Sequence, residues 1–477
     1  MFFCPASTPG LTGRIGAHLK SVNMKAKSLF LSLLPVLLLT NFLAPEANGQ
    51  DKFILSGEIR ERGVYSHGYK GLLAPDEHGT FWVGQRTRLN FDYRHNDLGF
   101  FVQLEDGRIW GSTTGAHTTG FGIGQAYFFM EFAKRFGFKV GRMALQYENG
   151  RYLSYSAWDE CPRTHDALIF NFRSLDKKTK VDIGASVSNN SSNTILNPYS
   201  LNNYFKYLLF GYVSHQFLPD LRWSVLSVTD FQERRYADSS GDIRTDPTRL
   251  YARSTIGSYL ELFSTKKVSA LIYGYGQFGK HNDGTAVAAG LFSAELKCRI
   301  LPVFDIVLAY DYISGSDFAG NGTDHSFDRF LGSAHAFLGI MDFFTGSGPE
   351  DLNLGRGYHQ PSLTLNYRPA EKHSLSLNAR YFLTEKQIFK GAENVEPNIS
   401  LPDLNRDLGF EMALRYKYKI RSDLSLEAGY AFHTATKTLE YLSGIESGTS
   451  KFAHFGYVMM AYKPTLYNSA NHPRKEK

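Results

Sequence analysis

Arginines at alternate positions are the first chemical feature of this chain. In "FWVGQRTRLNFDYR", residues 81–94, Arg86, Arg88 and Arg94 share the even positions with Trp82, Gly84, Asn90 and Asp92. Phe81, Val83, Gln85, Thr87, Leu89, Phe91 and Tyr93 take the odd ones. A guanidinium keeps its charge and presents a planar fork that meets a carboxylate through two parallel N–H···O bonds. Arg142, Arg253, Arg380, Arg415, Lys139 and Lys417 are read onto the same inner face. They are interleaved with Glu58, Glu105, Glu131, Asp305, Asp311 and Glu411. A wall of such forks can pass an anionic chain from one to the next. The alternative is mutual neutralisation across neighbouring strands. Most of these groups are expected to pair, leaving a minority to face a solute.

A second group lies in "VGRMALQYENGRYLSYSAWDECPRTHDALIFNF", residues 140–172. Arg142, Arg151, Arg163 and Asp166 are expected to form a constriction with Arg86, Arg88 and Arg415. Trp158 anchors the loop by burying its ring, and Asp166 holds one guanidinium. His335 and Asp342 belong to a third stretch, 327–346. Acid–base catalysis needs partners within hydrogen-bond reach, and no serine motif here offers a nucleophile. The reading is therefore of a non-enzyme, with His335 and Asp342 as loop or gate residues. Outside the leader the only cysteines are Cys161 and Cys298, in no metal-ligand or disulfide spacing. No metal or cofactor is expected.

Strands must position these groups, because side chains alternate between faces only in extended chain. Eighteen strand-like segments are read between residues 53 and 463, and their connections alternate in length. After even-numbered strands come short links such as 95–98, 134–135, 218–220, 301–303 and 421–423. After odd-numbered strands come mostly long ones: 66–80, 146–165, 190–204, 233–248, 316–359, 385–406 and 434–451. A barrel crossing an outer membrane sorts its loops this way, with tight periplasmic turns and longer extracellular loops. The predicted fold is an all-β, monomeric, 18-stranded antiparallel transmembrane barrel, both chain ends on the periplasmic side. Lipid leaves backbone groups no partner, so only helices or closed barrels cross it. The apolar faces, such as Leu408, Phe410, Met412, Leu414 and Tyr416, are then lipid-facing, and the charged faces line a lumen.

The ends of the chain are read separately. Residues 24–49, "MKAKSLFLSLLPVLLLTNFLAPEANG", carry a basic start, an apolar stretch and a small-residue exit, which is a secretory signal peptide. Residues 1–23 are read as an extension upstream of the true start, 50–465 as the barrel, and 466–477 as a polar tail. A net charge of +6 is too small to point to nucleic acid.

The stretch 140–172 resembles the alginate export family of outer-membrane barrels. The resemblance rests on Gly141-Arg142, Tyr147 to Arg151, Trp158, and Arg163 with Asp166. The stretch 327–346 resembles a loop of that family through His335, Phe337, Gly339 and Asp342. "LGFEMALRYKY", 408–418, is similar to its penultimate hairpin, with Glu411 and Arg415 inward. Glu148-Asn149-Gly150 and Thr164-His165 depart from the family pattern. The resemblance implies an arginine-lined outer-membrane channel for anionic saccharides or related solutes, gated by an extracellular loop and a periplasmic turn. Arg86, Arg88, Arg142, Arg151, Arg163, Asp166, Arg380, Glu411 and Arg415 would line it. An adhesin or a structural barrel is the other reading. Bilayer lipid is an expected partner, and a periplasmic partner is left open.

Overall fold

The computed structural model describes residues 51–111, 121–188, 205–317, 322–333, 335, 337–346, 352–388 and 404–471. The readings of a leader and an upstream extension lie outside the described residues. Eighteen antiparallel strands form the wall. They are Lys52–His67 (β1), Thr80–His95 (β2), Leu98–Ile109 (β3), Gly122–Phe132 (β4), Phe136–Met143 (β5) and His165–Arg173 (β6). There follow Thr179–Val187 (β7), Tyr207–Leu218 (β8), Leu221–Ala237 (β9), Ile243–Leu262 (β10), Val268–Lys280 (β11) and Ala286–Leu301 (β12). The last six are Phe304–Ile313 (β13), Tyr358–Ala370 (β14), His373–Thr384 (β15), Asp407–Lys419 (β16), Leu424–Ala435 (β17) and Phe452–Tyr462 (β18). Each pairs with the next. β18 returns to β1 through Ile59↔Tyr462 to His67↔His454, so the sheet closes and leaves no edge.

Residue alternation sorts the two faces. Val64, Leu208, Leu226, Tyr273, Leu291 and Phe455 point inward and are buried. Phe170, Ile183, Leu209, Leu308, Leu414 and Val458 point outward and are exposed. Aromatic rings mark both ends of the outer wall, with Phe53 near Tyr467 at one end and Phe432 stacked on Phe452 at the other. Hydrocarbon covers an apolar band of this kind between aromatic girdles. Leu89 and Phe91 share the outward face and Arg86, Arg88 and Arg415 the inward one, as expected from the period of two. Replacing Leu414 by Arg is expected to cost about 2–4 kcal/mol if it lies near the bilayer midplane. Unfolding in a lipid bilayer measures it, and no change would place Leu414 off the lipid face.

Turns at the end carrying both described termini are short, such as 96–97, 219–220, 302–303 and 371–372. The opposite end carries 68–79, 144–164, 314–357, 385–406 and 436–451, the last containing a short helix, Lys437–Leu442. The stretch 233–248, expected as a loop, is instead mostly strand: β9 and β10 continue through it to a tip at 238–242. Asp238 closes that tip by accepting from the Ser240 and Asp242 amides, and Arg244 pairs with Asp238 at 2.8 Å. Polar residues can face water on both sides of a strand, so polarity alone was a poor loop signal here. Part of the segment read as a tail is also strand. Thr465–Asn468 continues past Pro464 along β1, with Leu55 opposite Tyr467. In β14, Pro361 has no N–H to give the ladder, and the pairing with β15 passes from His359↔Leu383 to Ser362↔Arg380.

Candidate functional site

The inner face of β1 and β2 is a row of alternating charges. Glu58, Arg60 and Arg62 on β1 stand beside Arg86 and Arg88 on β2, and all are buried. Arg86 donates to Glu58 at 2.6 Å. Arg88 bridges Glu58 at 3.2 Å and Glu105 of β3 at 2.5 Å. These pairs leave guanidinium N–H groups to spare, and the 144–164 loop takes them. Arg60 donates to the carbonyls of Ala157 (2.9 Å), Trp158 (3.1 Å) and Asp159 (3.1 Å), and Arg86 to those of Ala157 (3.0 Å) and Asp159 (2.9 Å). Glu160 receives Arg60 at 2.5 Å and Arg62 at 2.8 Å. Arg88 reaches the Tyr155 hydroxyl at 2.6 Å. Loop carbonyls inside a barrel need donors, and three wall arginines, Arg60, Arg62 and Arg86, supply them. The loop is therefore folded into the lumen.

A second inward loop meets the first. The Ser154 amide donates to the Leu331 carbonyl at 2.9 Å, and Ser333 to that of Gly150 at 3.2 Å. Trp158 lies flat on His335, with ring centroids 4.0 Å apart and 12° between planes, and Arg62 sits 3.9 Å over the indole. His335 Nδ1 is 2.8 Å from Asp342 Oδ1, and the Tyr69 hydroxyl donates to the other oxygen of that carboxylate. Burial and the Asp342 charge both push the Tyr69 hydroxyl well above its ordinary range, so it stays a donor. Glu411 of β16 accepts from the Ile340 and Met341 amides at 2.8 and 3.3 Å. Gly339 makes that approach possible. Its φ is +87°, and a Cβ there would sit 2.3 Å from the Glu411 carboxylate. Gly339 and Glu411 are thus two halves of one contact.

Arg151, on the first loop, is buried over the Phe337 ring and pairs with Asp311 of β13 at 3.3 Å. Arg253 of β10 pairs with Asp230 at 3.2 Å and with Asp328 of the second loop. Arg380 faces Glu411 in register and donates to Asn378 at 2.5 Å. Arg163 is half-buried just before β6. Lys417 pairs with Glu427 at 2.9 Å. Arg415 is exposed on the lumen face and has no carboxylate within ion-pair distance among the described residues. Its register neighbours are Ser376 and Gly429. Gly429 is required, because the Tyr457 ring lies across it and a Cβ would fall 2.2 Å from that ring. Lys139, also inward, lies 5.4 Å over the Tyr127 ring.

Arg142 and Asp166 are not in the lumen. They make a bidentate pair, 2.9 Å at both contacts, on the outer face beside the long-loop end of the wall. β5 keeps unbroken register with β4 and β6, so Arg142 shares the parity of Phe136, Phe138 and Val140. Asp166 shares that of the exposed Leu168 and Phe170. These two therefore drop out of the expected constriction, and Arg60, Arg62, Tyr155 and Glu160 are the residues that join Arg86 and Arg88 at the inward loop. "EIRER", 58–62, carried the signal for two of these, with Arg60 and Arg62 on the parity of Glu58. Exposed ion pairs are worth about 0.2–1 kcal/mol. Replacing Arg142 and Asp166 together by Ala is expected to leave ion preference unchanged and stability nearly so. A shifted reversal potential would contradict the outward placement.

Glu148 fastens the start of the first loop. It takes Arg222 through both oxygens at 3.0 and 2.7 Å, Ser224 at 2.5 Å, and the Tyr212 hydroxyl. Burial opposes its charge, but these donors prevail and hold its carboxyl below the ordinary range. A depressed carboxyl stabilises the fold fully above the unfolded value, and the contribution is lost as pH falls through the folded one. Acidification is thus expected to loosen this loop, and Glu148→Gln to flatten that part of the pH dependence. Thermal unfolding measured from neutral to acid pH checks it; parallel curves for the two proteins would reject it.

No protein-family model matches the chain, and no curated protein matches it. Solved structures do. The outer membrane protein OprD from Pseudomonas aeruginosa is similar over 88% of this chain and 96% of its own, at 13% identity and a TM-score of 0.55. OccK8 (OprE) from the same organism gives 12% identity, 87% and 98% coverage, and a TM-score of 0.56. OccK11 (OpdR), again from Pseudomonas aeruginosa, gives 11%, 87% and 96%, and 0.55. At such identities the likeness is one of fold: a closed antiparallel barrel spanning nearly the whole described chain.

Proposed function

We propose that this chain is an outer-membrane channel for anionic solutes, anionic saccharides among them, exported with a cleaved leader and inserted with its long loops outside the cell. The observation that carries the reading is the pair of loops clamped into the lumen by wall arginines. Such loops narrow a barrel and set its selectivity. Beside them the accessible wall keeps basic groups that no acid offsets at ion-pair distance among the described residues, Arg415 foremost. The fold of the similar OprD-type structures supports a barrel with a usable interior. Arg86, Arg88, Arg151, Arg380 and Glu411 then shape the constriction rather than touch solute. Trp158, His335 and Asp342 lock the two loops together. The purified chain in a planar bilayer is expected to conduct, to prefer anions in a salt gradient, and to be blocked by a uronate oligomer more than by its neutral counterpart. Cation preference, or equal block by both, would reject it.

A second reading, an adhesin or structural barrel without specific transport, draws on the second loop. Phe327, Leu331, Met341, Phe343 and Phe344 of that loop are buried inside the wall like a core. A barrel of this kind would give no steady conductance.

A further inference from the structure

One sector of the outer wall carries a cluster of polar and charged groups between apolar rungs. On β1 to β3, Glu61, Gln85, Thr87, Asp106 and Arg108 share the outward face, the face opposite Arg60, Arg86 and Glu105. They lie between two aromatic rungs of the same wall, Phe53↔Tyr93 toward one end and Tyr65↔Phe81 toward the other. These residues are therefore within the apolar band. Arg108 donates to Asp106 at 2.6 Å, Gln85 to Thr87 at 3.1 Å, and Trp110 to Gln85 at 2.8 Å. Glu61 Oε2 and Asp106 Oδ1 are covered by their own chain and accept no hydrogen bond among the described residues, whereas the Arg108 head and the rest of the Glu61 carboxylate lie at the surface. Hydrocarbon has no partner to offer the exposed ends of Arg108 and Glu61, whereas a protein surface has. The patch holds both signs, with Arg108 and Glu61 on either side of Gln85 in the register. A surface with this arrangement complements a second copy of itself, because a two-fold axis near Gln85 brings each Arg108 to the Glu61 of the other copy.

We propose that two copies of this chain associate in the membrane through the outer wall of β1 to β3, with Arg108 of each paired to Glu61 of the other. Each barrel is closed by its own chain, so the pairing joins finished barrels. The proposal rests on the reading of the wall as membrane-spanning. A chain that stays soluble without detergent would remove that reading, whereas a detergent-dependent monomer would remove only the pairing.

The test uses the full chain in lipid nanodiscs and in the membrane of the producing cell. Sedimentation should give a mass of two chains. Arg108→Glu or Glu61→Arg alone should reduce it to one, and the double exchange should restore two. Folding of each variant is read from its heat-dependent mobility in dodecyl sulfate gels. Where a charge reversal does not fold, Arg108→Gln and Glu61→Gln replace it and should shift the equilibrium toward monomer. Gln85→benzoylphenylalanine, irradiated in the membrane, should yield a covalent dimer of this chain. A wild type that is monomeric throughout overturns the proposal. So does a folded double exchange no more dimeric than its single parents, or a crosslink to some other protein instead.

Discussion

Replacing Arg60 and Arg62 together by Ala is expected to raise single-channel conductance severalfold while the barrel still closes. The two guanidiniums carry the whole salt-bridge load of Glu160 and four of the six guanidinium contacts to the carbonyls of residues 157–159. Their loss leaves Glu160 inside the barrel without a partner, and breaking a buried pair from one side costs about 3–5 kcal/mol. The β1 wall does not depend on the loop, since β1 keeps its full ladders to β2 and β18. The loop is therefore the part that yields. Arg62 also leaves the face of Trp158, and the indole stack on His335 loosens with it. Planar-bilayer recording measures the conductance, and heat-dependent gel mobility reports that the barrel remains folded. A folded double variant with unaltered conductance would mean that this loop does not narrow the path.

Arg415→Glu is expected to move the reversal potential toward cations more than any other single wall substitution. Its charge is exposed in the lumen and meets no carboxylate at ion-pair distance among the described residues, unlike Arg86, Arg88, Arg151 and Arg253. In a wet lumen one unit charge about 4 Å from a passing ion is worth about 1 kcal/mol, or roughly fivefold in occupancy. Reversing the sign doubles that difference. Glu427 is already held by Lys417 and by the Tyr457 hydroxyl, so that acid does not offset the Arg415 charge. Arg415→Lys should keep the preference, because it keeps the charge. An unchanged potential in Arg415→Glu would take Arg415 out of the conducting path.

The strand content, the count of eighteen and the inward or outward sense of most wall residues were legible in the chain alone. A period of two is a local property, and burial on one face imposes it along every strand. Loop parity was legible for the same reason: in a closed antiparallel barrel, turns alternate between the two ends. Arg142 shows where the reading failed. Lys139 and Arg142, three residues apart, cannot share one face of a regular strand, and Arg142 sides with Phe136, Phe138 and Val140 outward. The hairpin tip at 238–242 failed differently, because above the apolar band polarity no longer separates strand from loop.

The site itself was decided by tertiary structure. Which arginines hold the 144–164 loop, and that the loop turns inward at all, depends on carbonyls at 157–159 meeting guanidiniums some hundred residues earlier in the chain. Glu411 reaching the amides of residues 340 and 341 past Gly339 is a contact of the same kind. Alternation says which side of the wall a charge occupies. It says nothing of whether that charge will find a partner, because pairing across a barrel depends on how the loops fill it. Most of the wall arginines proved to be fasteners and Arg415 an open charge for that reason: loop carbonyls and carboxylates reach the former, and only Ser376 and a glycine flank the latter.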